Sequence, residues 1–96
     1  MSLIRRHFPE EPHIAVAVAK CESGLNPKAY NPNNKNGTTD SGIFQLNSVH
    51  QKTIERMGLD IWKPEDNVKF ARYLYEKAGN RFTDWVCYQK KVAFNS

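Results

Sequence analysis

From Pro12 to Gly24 the chain reads Pro-His-Ile-Ala-Val-Ala-Val-Ala-Lys-Cys-Glu-Ser-Gly, and this run constrains the fold more than any other. Pro12 suits the first turn of a helix, Glu10 and Glu11 stand near its positive end, and Gly24 is a residue that ends helices. Ile14, Ala17, Val18 and Cys21 share one face at helical spacing, while Ala15, Val16 and Ala19 extend the apolar surface nearly all round. Such a helix needs cover on most sides, so the remaining chain must wrap it. With 96 residues there is room for one domain, 1–96. The expected class is mainly α within α+β, a central buried helix beside a short β-hairpin or ordered loop.

The cover has to come from the segments that follow. Residues 25–39 hold five asparagines, two prolines and Gly37 without any sustained period, which reads as a long ordered loop. Asn33 to Gly37 suits the tip of a hairpin whose strands include Ala29–Asn31 and Thr38–Asp40. Ser48 with Gln51 fits a capping box opening a short helix to about Met57, before Gly58. A third helix starts near Pro64 and offers Val68, Ala71, Leu74, Tyr75 and Ala78 to the core, with Gly79 closing it. Thr83 is placed to cap a fourth helix carrying Trp85, Val86, Tyr88 and Val92, and Trp85 and Tyr75 are assigned to the core. The residues before Pro12 read as a polar start.

Cys21 and Cys87 either remain buried thiols or form a bridge. Both fall on helices that should pack together, and closing so long a loop contributes about 4 kcal/mol in the chain-entropy model. A bridge would imply an oxidising compartment.

Charge and hydropathy exclude several function classes. The net charge of +4 attracts polyanions, but the basic residues are dispersed, with only Arg5-Arg6 and Lys90-Lys91 adjacent, which is not a nucleic-acid groove. The apolar run Ile14 to Ala19 is six residues long, too short for a signal peptide core or a membrane span. Work outside the cytoplasm would therefore need an export signal already removed, one on a larger parent chain, or delivery by a phage particle or lysis. His7, His13 and His50 lack metal-ligand spacing, so no metal and no cofactor is expected. The Asn-rich loop has too few carboxylates for calcium, and Lys35 intrudes. Asn36-Gly37-Thr38 matches the glycosylation sequon as a short coincidental pattern. A Cys21–His50 peptidase is disfavoured because a helix C-terminus destabilises a thiolate.

Two carboxylates carry the chemical reading. Glu22 ends the apolar helix, where the negative helix end and partial burial both oppose ionisation and raise its pKa, as a general acid requires. Asp40 lies among Thr38, Thr39 and Ser41, whose hydroxyls could keep it ionised. An acid paired with an anion is the equipment for cleaving a glycosidic bond through an oxocarbenium-like transition state. Taken singly, the bland alternatives are a surface glutamate at a helix end and a turn aspartate bonded to its own backbone.

Glu22-Ser23-Gly24-Leu25-Asn26-Pro27-x-Ala29, followed by Asn36-Gly37-Thr38-Thr39-Asp40-x-Gly42-Ile43-Phe44-Gln45-Leu46-Asn47-Ser48, resembles the lysozyme-like superfamily, especially the soluble lytic transglycosylase (SLT) domain. The second block is also similar to c-type lysozymes. Pro64 to Leu74 is similar to the third transglycosylase motif, and Val86-Cys87-Tyr88-Gln89 stands where that family has Ala-Tyr-Asn. Here Gln89 replaces the usual Asn. The resemblance implies a compact lysozyme-like fold acting on peptidoglycan glycan strands, at the β-1,4 bond between N-acetylmuramic acid and N-acetylglucosamine, outside the cytoplasm; a monomer is expected. It implies Glu22 as catalytic acid, Asp40 as second carboxylate, and Ser23, Gln45 and Asn47 near the sugar cleft. It also implies Gly42 where backbone approaches substrate, and Tyr88 as the tyrosine of the last motif. Hydrolysis and transglycosylation are both open, and a wall-binding module without turnover is the alternative from another class.

Overall fold

The computed structural model describes residues 2–32 and 34–90. The expected Asn33 at the hairpin tip and Val92 on the last helix lie outside them. In chain order the elements are α1 (Ser2–His7), α2 (Pro12–Ser23), β1 (Tyr30–Asn31), β2 (Asp40–Ser41) and β3 (Leu46–Asn47). A single 3₁₀ turn (Ser48–His50) then leads into α3 (Gln51–Arg56), followed by α4 (Pro64–Lys77) and α5 (Val86–Lys90). The result is α+β, a helical body carrying one small antiparallel sheet.

Helix α2 has the boundaries its local signals dictate. Pro12 opens it, and Gly24 ends it at φ 66° with its N–H donating to Lys20 O at 2.8 Å. Its buried stripe differs from the expected face. Ala15, Val18 and Ala19 are fully buried, whereas Ile14 and Ala17 are half-buried and Cys21 is exposed. The stripe continues at helical spacing to position 22, so the turn that points Cys21 outward points Glu22 toward the body.

The N-terminal segment is a helix and not the polar start expected of it. Ile4 and Phe8, four residues apart, are fully buried. Phe8 packs its ring 5.7 Å from Phe44, 5.2 Å from Tyr75 and 5.4 Å from Phe82, within an aromatic cluster. Arg72 on α4 fastens this segment, donating to both carboxylate oxygens of Glu10 at 2.7 Å and to His7 O at 3.1 Å. The Tyr75 hydroxyl donates to Glu11 Oε2 at 2.7 Å.

The sheet runs β1-β2-β3, all antiparallel, with Tyr30 opposite Ser41, Asn31 opposite Asp40, and Asp40 opposite Asn47. The second strand thus starts at Asp40, later than its expected start at Thr38, and β3 was not anticipated at all. The Ser48–Gln51 capping box does not form. Ser48 Oγ accepts from Thr39 N at 3.1 Å, Gln51 donates to Glu55, and Asn47 caps the 3₁₀ turn by accepting from Val49 N at 3.0 Å. Helix α5 begins at Val86, and Trp85 precedes it as a buried residue.

One side chain ties sheet to helices. Asn67, buried in the first turn of α4, accepts from Phe44 N at 3.0 Å and donates to Ser41 O at 3.1 Å and Ile61 O at 3.0 Å. It fixes the turn between β2 and β3, and with it the strands on either side. Among the described residues no helix is long and apolar enough to cross a membrane.

Candidate active site

Glu22 reaches from the last turn of α2 into a cavity of about 460 Å³, whose other walls come from the β2–β3 region, the loop before it, the 3₁₀ turn and the start of α5. Its side chain is half-buried, and Oε2 accepts from Cys87 N at 3.1 Å. Burial is the main cause that lifts its pKa above the ordinary 4.5, and the negative charge of Asp40 adds to it. The Cys87 N–H partly opposes both.

Asp40 lines the same cavity from β2. Both its oxygens are held: Oδ2 accepts from Asn34 Nδ2 at 3.0 Å and Oδ1 from Asn47 Nδ2 at 3.1 Å. Hydroxyls were expected to do this, but the side-chain amides do it. The Thr38 hydroxyl stands behind them, accepting from both amides at 3.2 Å and 3.0 Å while donating to Asn36 Oδ1 at 2.6 Å. Asn47 arrives there because β3 pairs it directly opposite Asp40. Gln45 also lines the cavity. Its backbone takes the left-handed region at φ 49°, and its side-chain amide donates to Ala29 O at 3.1 Å and Gly42 O at 2.9 Å.

Cys21 and Cys87 are joined by a disulfide, with Cα atoms 6.1 Å apart. The bridge connects the residue before Glu22 to the residue whose N–H the Glu22 carboxylate accepts. It also removes the thiolate a cysteine peptidase would need.

Residues 5–95 match the family model described as the transglycosylase SLT domain. The chain belongs to that family. It is 38% identical over 52 residues to invasion protein IagB of Salmonella typhimurium, covering 54% of this chain and 32% of that protein. Protein IpgF of Shigella flexneri is 50% identical over 42 residues, covering 44% of this chain and 27% of that protein. The milk isozyme of lysozyme C from Canis lupus familiaris is 54% identical over 33 residues, covering 34% of this chain and 26% of that protein. These alignments span about a third or less of each relative's own length.

Three positions that the SLT resemblance singles out lie away from the cavity wall. Ser23 donates its hydroxyl to Ile43 O at 2.7 Å and Ala19 O at 3.2 Å, pinning the end of α2 to the β2–β3 turn. Gly42 sits at φ 81°, and a β-carbon there would overlap Asn67 Nδ2, so its lack of a side chain serves the Asn67 tie. Tyr88 is half-buried on α5 with its ring 5.9 Å from Phe82.

The SLT domain cavity also gathers residues that sequence reasoning did not place there. His50 lines it with its ring 5.5 Å from Phe70. Burial lowers its pKa, which the charge of Asp84 partly offsets and that of Lys77 reinforces. Asn34, Lys35, Asp84 and Trp85 complete that side, and the Trp85 indole N–H donates to Phe44 O at 2.8 Å. No local pattern marks Asn34 or Asp84. Among the described residues no group of three or more His, Cys, Asp or Glu side chains could hold a metal ion.

Proposed function

We propose that the domain cleaves the β-1,4 bond between N-acetylmuramic acid and N-acetylglucosamine in peptidoglycan. The observation that carries this reading is a half-buried glutamic acid with a raised pKa sharing one cavity with a second carboxylate clamped by two amides. Membership of the SLT family and the similarity to a lysozyme C support it from outside the geometry.

In this reading Glu22, whose acid form burial favours, gives its proton to the glycosidic oxygen as the bond to C1 breaks. Asp40, held as an acceptor between Asn34 and Asn47, opposes the positive charge that develops on the sugar ring. Gln45 and Asn47 fix the cavity wall around the saccharide, and Ser23 and Gly42 keep that wall registered on α2 and α4. Tyr88 supports α5 from behind. In the muramidase version, water adds its hydroxide to C1 and returns a proton to Glu22, leaving a reducing end. The family match favours a second version, in which the muramyl 6-hydroxyl adds to C1, its proton returns to Glu22, and the product carries a 1,6-anhydro ring. Since peptidoglycan lies outside the cytoplasmic membrane, the domain works there, and its disulfide suits an oxidising compartment.

The test is digestion of purified peptidoglycan by wild type, Glu22→Gln and Asp40→Asn, with glycan ends identified by mass spectrometry. Wild type should release muropeptides, with an alkaline limb of its pH profile above the ordinary glutamate range, and Glu22→Gln should release almost none. Undiminished cleavage by Glu22→Gln would sink the acid assignment. Glycan binding without release by wild type would replace the enzyme with a wall-binding module. Reducing or anhydro ends select between the two products.

A further inference from the structure

We propose that the hollow between α3 and α4 is a second binding site of the domain, which takes the carboxylate-bearing peptide that peptidoglycan carries on the lactyl group of N-acetylmuramic acid. This rests on wall glycan being the substrate of the reading above.

The hollow encloses about 480 Å³ and is lined by Thr53, Arg56, Met57, Tyr73 and Lys77. Helical spacing gathers them. Arg56 and Met57 follow Thr53 by three and four residues along α3 and its C-cap, and Lys77 follows Tyr73 by four on α4, so each set shares one face. Their neighbours Ile54 and Leu74 are buried, which fixes the outward direction of both faces.

The chemistry of the lining points to an anion. Arg56 and Lys77 are exposed, and among the described residues neither makes an ion pair. The acid next to each is engaged elsewhere: Glu55 accepts from Gln51 Nε2 at 2.9 Å, and Glu76 pairs with Arg72 at 3.2 Å. Lys77 Nζ lies over the Tyr73 ring, 5.6 Å from its centroid, which keeps the ammonium beside the hollow. Thr53 and Tyr73 bring hydroxyls, while the Tyr73 ring and the exposed Met57 bring apolar surface. Two cations with hydroxyl donors suit carboxylates. The apolar surface beside them suits the methyl and methylene groups of the same peptide, whereas a bare inorganic anion would use the charges alone.

The hollow adjoins the cavity that holds Glu22. Thr53 follows His50 by three residues and Tyr73 precedes Leu74, and both His50 and Leu74 line that cavity. The His50 ring is 5.5 Å from Phe70, whose ring is 5.3 Å from Tyr73. Lys77 is close enough for its charge to act on His50. An N-acetylmuramic acid seated in the cavity with its lactyl group toward His50 thus delivers its peptide to Arg56 and Lys77. A glycan stripped of peptides has nothing to place there.

The experiment uses the oxidised full chain as wild type, Arg56→Gln and Arg56→Gln/Lys77→Gln. Backbone amide NMR follows addition of free L-alanyl-γ-D-glutamyl-meso-diaminopimelic acid, of the same peptide with its carboxyls amidated, and of inorganic phosphate. The free peptide should move the signals of Thr53, Arg56, Tyr73 and Lys77 in wild type and not in the double variant. The amidated peptide and phosphate should bind about tenfold more weakly or less. On peptide-bearing glycan the double variant should show a KM raised about tenfold with kcat little changed, and Arg56→Gln a smaller rise in the same direction. Arg56→Gln leaves the influence of Lys77 on His50 in place, so its effect does not pass through the cavity. On peptide-free glycan all three proteins should be alike. Unmoved signals at the hollow of wild type would overturn the inference, and this titration needs no variant. Phosphate binding as tight as the peptide, or an equal rise in KM on peptide-free glycan, would overturn it too. Peptide binding at the hollow without glycan cleavage by wild type would count against the proposed reaction and not against the site.

Discussion

Changing Asn67 to aspartate keeps the side chain's volume while removing its donors, which isolates the hydrogen bonds from any cavity effect. Asn67 is 1% exposed, accepts one backbone N–H and donates to two carbonyls. The aspartate retains an acceptor for Phe44 N but turns an oxygen toward Ser41 O and Ile61 O, where only a donor is tolerated. Losing its donor costs a buried carbonyl about 1–3 kcal/mol where it has no other, so the two losses give at most about 6 kcal/mol, with less at Ser41, which also pairs with Leu46 in the β2–β3 ladder. Uptake of a proton by the buried carboxyl restores one donor, and the cost of that protonation at pH 7 adds to that of the remaining carbonyl, which brings the expectation to about 3 kcal/mol. For a domain of this size that is a melting temperature lower by about 10–20 °C. The assay is urea unfolding of the oxidised protein at pH 7, repeated at pH 4, where the introduced carboxyl is more readily protonated and the deficit should shrink. Since the same side chain fixes the β2–β3 turn, peptidoglycan release should drop even below the melting range. A loss under about 1 kcal/mol at pH 7, with unchanged denaturant dependence, would refute the reasoning.

Three further outcomes follow from the geometry. Asn47→Ala removes one of the two amides on Asp40 and the cap on Val49 N, so kcat should fall about tenfold while urea unfolding shows a loss of about 1 kcal/mol. Trp85→Phe keeps an aromatic ring but leaves Phe44 O without its indole donor, costing about 1–3 kcal/mol by thermal melting. Glu10 is held at a pKa of about 2 chiefly by its hydrogen bonds from Arg72. A depressed carboxylate stabilises the fold above its ordinary 4.5 and loses that contribution as pH falls toward 2. The melting temperature of Glu10→Gln should thus lie below wild type at pH 7 and meet it near pH 2, and a gap independent of pH would contradict the Arg72 assignment.

Much of the frame was legible because its signals are local. Pro12 and Gly24 bound α2 in the sequence as they do in the fold, and Pro64 opens α4, since a missing N–H and a left-handed residue act on the chain immediately around them. The placement of Glu22 on the final turn of an apolar helix follows from the same signals. Two helices expected to pack bring Cys21 and Cys87 within reach of a bridge, and the fold decides between that bridge and free thiols. In contrast, Ile4 and Phe8 gave only one helical pair, and that pair acquires meaning when Phe44, Tyr75 and Phe82 arrive from far along the chain to surround it.

The site itself divides the same way. The sequence by itself determined that a glutamate would end the apolar helix and that an aspartate would follow an Asn-rich loop, because residue type and short-range order are written along the chain. Only the tertiary structure decided that both would face one cavity. The buried stripe of α2 had to run through Ala15, Val18 and Ala19 for Glu22 to turn inward, and β3 had to pair with β2 for Asn47 to reach Asp40. It likewise redirected Ser48 from a helix cap to Thr39 N, and drew the Glu22 carboxylate to Cys87 N across most of the chain. Each depends on which distant group satisfies a polar atom once water is excluded, and that competition is resolved only when the whole domain is assembled.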